Sequence, residues 1–133
     1  MSKNDGLVYL KQIAKIESTH LGYEDHGILT AHLYVDYGGS HQGIGGYALD
    51  GPVRDDQGKF LRREGTAFGM KWIQGVLDAC GVDRWEKLVG RTIYVLKIGN
   101  EWTGEIVGIE ALPFDKGKRF LFSDLTVDKG EVK

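Results

Sequence analysis

Apolar and polar residues alternate near the start of the chain. From Leu7 to Glu17, Val8, Leu10, Ala14 and Ile16 fall on one side, with Lys11, Lys15 and Glu17 on the other. A period of two is that of a half-buried β-strand, whose successive side chains point to opposite faces of a sheet. After a turn-like stretch from Gly22 to Gly27 the alternation becomes more regular. Leu29, Ala31, Leu33, Val35 and Tyr37 interleave with Thr30, His32, Tyr34 and Asp36, which predicts a second strand. Gly38-Gly39-Ser40 then turns the chain into Gln42 to Asp50, read as the returning strand of an antiparallel hairpin.

The period changes after residue 64. Phe68, Trp72, Ile73, Val76, Leu77 and Cys80 recur at three- and four-residue spacing, the signature of one buried helix face. Thr66 is placed to cap that helix and Gly81 to end it. Asp83 followed by Glu86 reads as a capping box opening a short second helix from Arg84 to Val89. Three further strand-like runs, 92–98, 102–112 and 120–125, complete the chain. Grouped strands joined by short turns predict an α+β fold, with a mostly antiparallel sheet of about six strands and helices on one face. The long and the short helix are expected between strands three and four.

At 133 residues one domain, 1–133, is expected. Within it, 1–6 reads as a polar tail and 51–64, rich in Arg, Asp and Gly, as an exposed loop. A net charge of −2 gives no general attraction to polyphosphate, so long nucleic acid is not an expected partner. Arg62 with Arg63, and Lys116 with Lys118 and Arg119, form two compact basic clusters suited at most to a small anion. Cys80 is the only cysteine, which excludes an intramolecular disulfide. The N-terminus lacks a signal-peptide apolar core, and no run approaches the roughly 20 apolar residues that cross a bilayer. A cytoplasmic location without a membrane partner is the expectation.

Candidate chemistry is sparse. The segment from Thr19 to His26 carries His20, Glu24, Asp25 and His26, and a catalytic metal there would need His32, Asp36 or His41 from the adjoining hairpin. The spacing matches no helical zinc motif, and hydrogen bonding within a turn is the favoured reading, so no metal and no cofactor are expected. Ser18, Ser40 and Ser123 lie outside any nucleophile elbow, and Cys80 falls on the buried helix face. No catalytic residue is assigned. Gly43-Ile44-Gly45-Gly46 fits neither a dinucleotide nor a phosphate loop; close packing of the helix or of a second subunit on the sheet is favoured over ligand contact. Tyr47, Trp85, Trp102, Phe114, Phe120 and Phe122 supply rings for stacking on a nucleobase, although most are needed in the core. The expected ligand-binding residues are Trp102 and Phe120 for stacking, with Asn100, Arg119 and Arg63 for polar contacts.

The blocks Thr19-x-Leu21-Gly22-x-Glu24-Asp25-His26-Gly27, Asp36-Tyr37-Gly38-Gly39, Gln42-Gly43-x-Gly45-Gly46-Tyr47-x-Leu49-Asp50 and Gly65-Thr66-x-x-Gly69 resemble a recurrent family of small bacteriophage proteins. In size and element order the chain is similar to the type-one Thoeris anti-defence family. That resemblance implies a phage-encoded sponge in the host bacterial cytoplasm. It would sequester a cyclic ADP-ribose isomer without degrading it, as a homo-oligomer and with cyclic oligonucleotides as further ligands. Sequestration needs tight binding and no turnover, so the lack of a catalytic motif accords with it. The alternatives are a phage inhibitor that binds a host immune protein directly, and a metal-dependent nucleotide hydrolase using His20, Glu24, Asp25, His26 and Asp36.

Overall fold

The computed structural model describes residues 9–24, 26–100 and 104–125. The elements are β1 (Leu10–Glu24), β2 (Ile28–Asp36), β3 (His41–Ala48), β4 (Asp50–Arg54), β5 (Phe60–Gly65), α1 (Ala67–Cys80), β6 (Thr92–Ile98), β7 (Glu105–Ala111) and β8 (Arg119–Leu121), with 3-10 turns at Trp85–Lys87 and Phe122–Leu125. Six strands form one sheet in the order β3-β2-β1-β6-β7-β8, and β4 and β5 pair as a separate ribbon. Every pairing is antiparallel. The α+β class and the antiparallel sheet therefore agree with the alternating pattern.

Two expectations need correction. The helix follows strand five rather than lying between strands three and four, because the stretch expected to be a loop over 51–64 contributes most of β4 and β5. Its alternation is hidden because residues on both faces of the ribbon are exposed or half-exposed and so carry no apolar stripe. The second helix shrinks to a single 3-10 turn whose N-cap is Arg84, without a capping side chain. Asp83 instead pairs with Arg84 and Lys87 at 3.2 Å each. The expected tail over 1–6 lies outside the described residues.

β1 is 15 residues long and serves two partners, β6 along its first half and β2 along its second. A register shift between Ile16 and Ser18 marks a bulge at Glu17. The extra residue lets the strand bend while its pairing continues. Ala14 and Ile16 on β1, Leu33 and Val35 on β2, Ile93 and Val95 on β6 and Ile109 on β7 line the buried face. α1 covers it with Phe68, Trp72, Val76, Ala79 and Cys80. Thr66 Oγ1 accepts the Gly69 N–H at 3.0 Å to start the helix, and Gly81, in the left-handed region at φ 69°, stops it.

Close approach of helix to sheet explains one glycine of the third strand, Gly45. A Cβ on Gly45 would stand 2.7 Å from the Trp72 ring and 3.0 Å from the Ala31 carbonyl oxygen, so only a residue without a side chain lets the indole seat on β3. At Gly45 this is the packing role favoured for that run, with the helix as partner, while a Cβ on Gly46 would meet nothing within 4 Å.

Asp50 ties the ribbon to the sheet. Its Oδ1 accepts from Arg63 Nε at 3.0 Å and Nη2 at 2.8 Å, and the carboxylate also receives the Leu29 N–H at 3.3 Å. The Arg63 hydrogen bond is the chief reason the Asp50 carboxyl lies below its ordinary value, with burial opposing the shift. We expect Asp50→Ala to lose about 2–3 kcal/mol in chemical denaturation, because Arg63 loses its carboxylate partner, keeping only the backbone carbonyl of residue 50, and the Leu29 N–H loses its acceptor. A folded-state pKa below the unfolded one gives stability that is complete above about pH 4 and lost as pH falls through the folded value. The gap between wild type and Asp50→Ala should therefore be constant from pH 7 to 5 and narrow below pH 4.

Candidate functional site

Of the five expected ligand-binding residues, the four described ones are not brought together into one site. Phe120 is 8 % exposed, its ring held against Gly75 of α1 and edge-on to Phe122, so burial in the core takes the place of a stacking surface. Arg119, its neighbour on β8, points to the opposite side of the sheet. There its Nε donates to Glu110 Oε1 at 2.6 Å and its guanidinium lies 5.3 Å from the Tyr9 ring centre. Arg63 is engaged by Asp50 in the ribbon. Asn100 is exposed in the turn after β6. Trp102 lies outside the described residues.

The sheet face turned away from α1 offers a more coherent surface. Antiparallel partners project on the same side, and the pairs Ile13↔Tyr94, Lys15↔Asp36, His20↔His32, Tyr34↔Gly43 and Asp36↔His41 place these side chains on it together. The His20 and His32 rings stack at 5.1 Å, and the Tyr34 and His41 rings at 5.9 Å and 7° from parallel. Gly43 opposite Tyr34 leaves room for the diagonal stack with His41. Tyr34 is 41 % exposed, a large aromatic face open to solvent. From His32 to Asp36, four residues of strand at about 3.3 Å each, the surface runs about 13 Å, the size of a nucleotide.

Charge is arranged at one end of this surface. His41 Nε2 stands 3.0 Å from Glu17 Oε2 and 3.7 Å from Asp36 Oδ1, with Lys15 directly across from Asp36. The Gly39 and Gly38 N–H groups donate to Asp36 Oδ1 at 2.9 and 2.8 Å and hold its carboxyl below the usual range, helped by the charges of His41 and Lys15. At the other side of the face, Glu110 is raised by burial but more strongly lowered by hydrogen bonds from Lys11 and Arg119. The surface thus combines exposed rings, anchored carboxylates and exposed lysines.

The helix side holds its polar groups differently. Buried Lys97 donates to Gln12 Oε1 at 2.8 Å and lies 4.6 Å above the Tyr37 ring, while Tyr37 donates to Gln42 at 2.6 Å. Burial pushes the Tyr37 hydroxyl and the Cys80 thiol each up to about 12. At neutral pH Cys80 is a buried thiol rather than a nucleophilic thiolate. An open cleft of about 420 Å³ at the C-terminal end of α1 gathers Lys116 and Lys118, but Asp78 and Asp83 in its wall offset their charge.

The histidine-rich segment expected to be one loop is split by the fold. β1 runs on to Glu24, so His20 and Glu24, 3.7 Å apart, sit on a strand. His26 occupies the turn at φ 59°, and Asp25 lies outside the described residues. Asp36 instead joins His41 and Glu17. Glu17 was not legible as a site residue, since alternation puts it on the polar side of β1 but its meeting with His41 depends on cross-strand register. Tyr34 was legible as a strand residue, and its polar neighbours His32 and Asp36 were the signal for an exposed side. Comparisons with known protein families, curated proteins and solved structures find no match for this chain.

Proposed function

We propose that this protein is a binding module that captures a small nucleotide-derived signal on the open sheet face and holds it without turnover. The carrying observation is the exposed Tyr34–His41 stack beside Lys15 and two anchored carboxylates. Tyr34 supplies a π-face for a base, Lys15 a cation for phosphate, and Glu17 and Asp36 acceptors for ribose hydroxyls. The cyclic ADP-ribose isomer suggested by the sequence resemblance has all three kinds of group and is the first ligand to test. In this reading the protein is a phage-encoded sponge that lowers the free concentration of an immune signal in the host. Isothermal titration of the isomer into the protein should show saturable binding, with linear ADP-ribose binding more weakly. Absence of saturable binding would remove the isomer as ligand.

A further inference from the structure

Two carboxylates and an imidazole on three neighbouring strands carry a second reading, which shares Glu17, Asp36 and His41 with the proposed nucleotide face and is tested with metal alone. The geometry points to a binding site for a first-row divalent transition-metal ion formed by Glu17 of β1, Asp36 of β2 and His41 of β3. One donor atom from each lies within 4.8 Å of the other two. Donor atoms around such an ion at bonds of about 2.1 Å are roughly 3–4 Å apart. The His41 distances of 3.0 Å to Glu17 and 3.7 Å to Asp36 already lie in that interval. Small side-chain rotations close the remainder.

The donor set separates this cluster from an ordinary acidic patch. An imidazole nitrogen favours zinc, iron, cobalt or nickel over calcium and magnesium, and two carboxylates supply charge. Groups outside the trio hold two of the ligands. The Tyr34 ring lies against His41, and the Gly38 and Gly39 N–H groups fix Asp36 Oδ1, the oxygen that stands 3.7 Å from His41 Nε2. Glu17 reaches the trio from the position after buried Ile16, where strand alternation turns it to the open face beside the β1 bulge. Lys15, opposite Asp36, is the competing cation, and its flexible exposed chain can withdraw when an ion binds. Three protein donors leave the remaining positions to water.

The test uses the full chain, stripped with a chelator and dialysed, then titrated with zinc chloride by calorimetry and with cobalt chloride by visible absorption. The expected result is one ion per chain and a cobalt d–d band that appears in step with saturation. Glu17→Gln and His41→Ala should each weaken binding at least tenfold with circular dichroism unchanged, while His26→Ala in the exposed turn should not. Two results would overturn the site. One is no binding at millimolar metal. The other is binding that survives Glu17→Gln and His41→Ala but is lost on His20→Ala or His32→Ala, which would place the ion on the stacked pair instead.

Discussion

Gly45→Ala should unfold this protein at a temperature roughly 10 °C or more below wild type, although it adds one methyl group to a strand that is exposed at that position. Two costs combine. At φ +102° an L-residue is strained, by about 1–2 kcal/mol. The new Cβ also meets the Trp72 ring at 2.7 Å, and Trp72 is fully buried between sheet and helix, so it cannot swing aside. Overpacking of this kind costs about 1–3 kcal/mol. The sum of about 3 kcal/mol is a large part of the 5–15 kcal/mol that typical domains possess. Trp72→Phe, which removes the ring atoms nearest Gly45, should relieve the overlap but not the backbone strain. A double-mutant cycle followed by thermal denaturation should therefore give a coupling of about 1 kcal/mol or more. Additive effects would mean that the indole does not rest on β3.

The second large effect concerns ligand capture. Tyr34→Ala should weaken binding of the nucleotide signal about tenfold or more, since loss of a base–aromatic stack costs about 1–3 kcal/mol and each 1.4 kcal/mol is a factor of ten. Lys15→Glu should weaken it by a similar factor, and more at low salt, because an exposed charge facing phosphate is screened by ions. Neither substitution touches the core: Lys15 and Tyr34 are exposed, and their strand neighbours Ala14, Ile16, Leu33 and Val35 carry the packing. Melting temperatures should stay close to wild type. Phe120→Ala makes the opposite control. It should cost about 3–5 kcal/mol of stability, because its ring fills the core beside Gly75.

How much of this was readable from residues alone follows from what each segment buries. β2 and α1 each bury one face, so the periods of two and 3.6 stand out, and Thr66 and Gly81 mark the helix ends where the structure has them. The ribbon β4–β5 buries almost nothing beyond Asp50, and its sequence therefore reads as loop. β1 beyond Ser18 escaped recognition for a related reason. The bulge at Glu17 shifts the alternation, and Leu21 and Tyr23, which extend past the helix, remain exposed. Hydrophobic patterning alone is silent about the open sheet face, because stacking among Tyr34, His41, His20 and His32 depends on cross-strand register. Phe120 shows the converse. An aromatic residue beside an arginine resembles a ligand contact in sequence, yet strand alternation sends Arg119 to the open face and Phe120 to the core.

Capture without turnover is tested most directly by what the protein gives back. The protein is incubated with the cyclic ADP-ribose isomer, freed of unbound ligand by gel filtration, heat-denatured, and the released small molecules are analysed by chromatography and mass spectrometry. The expected result is release of the unaltered isomer in proportion to protein, with much less from Tyr34→Ala. Release of a hydrolysed product, or an equal yield from Tyr34→Ala, would contradict it.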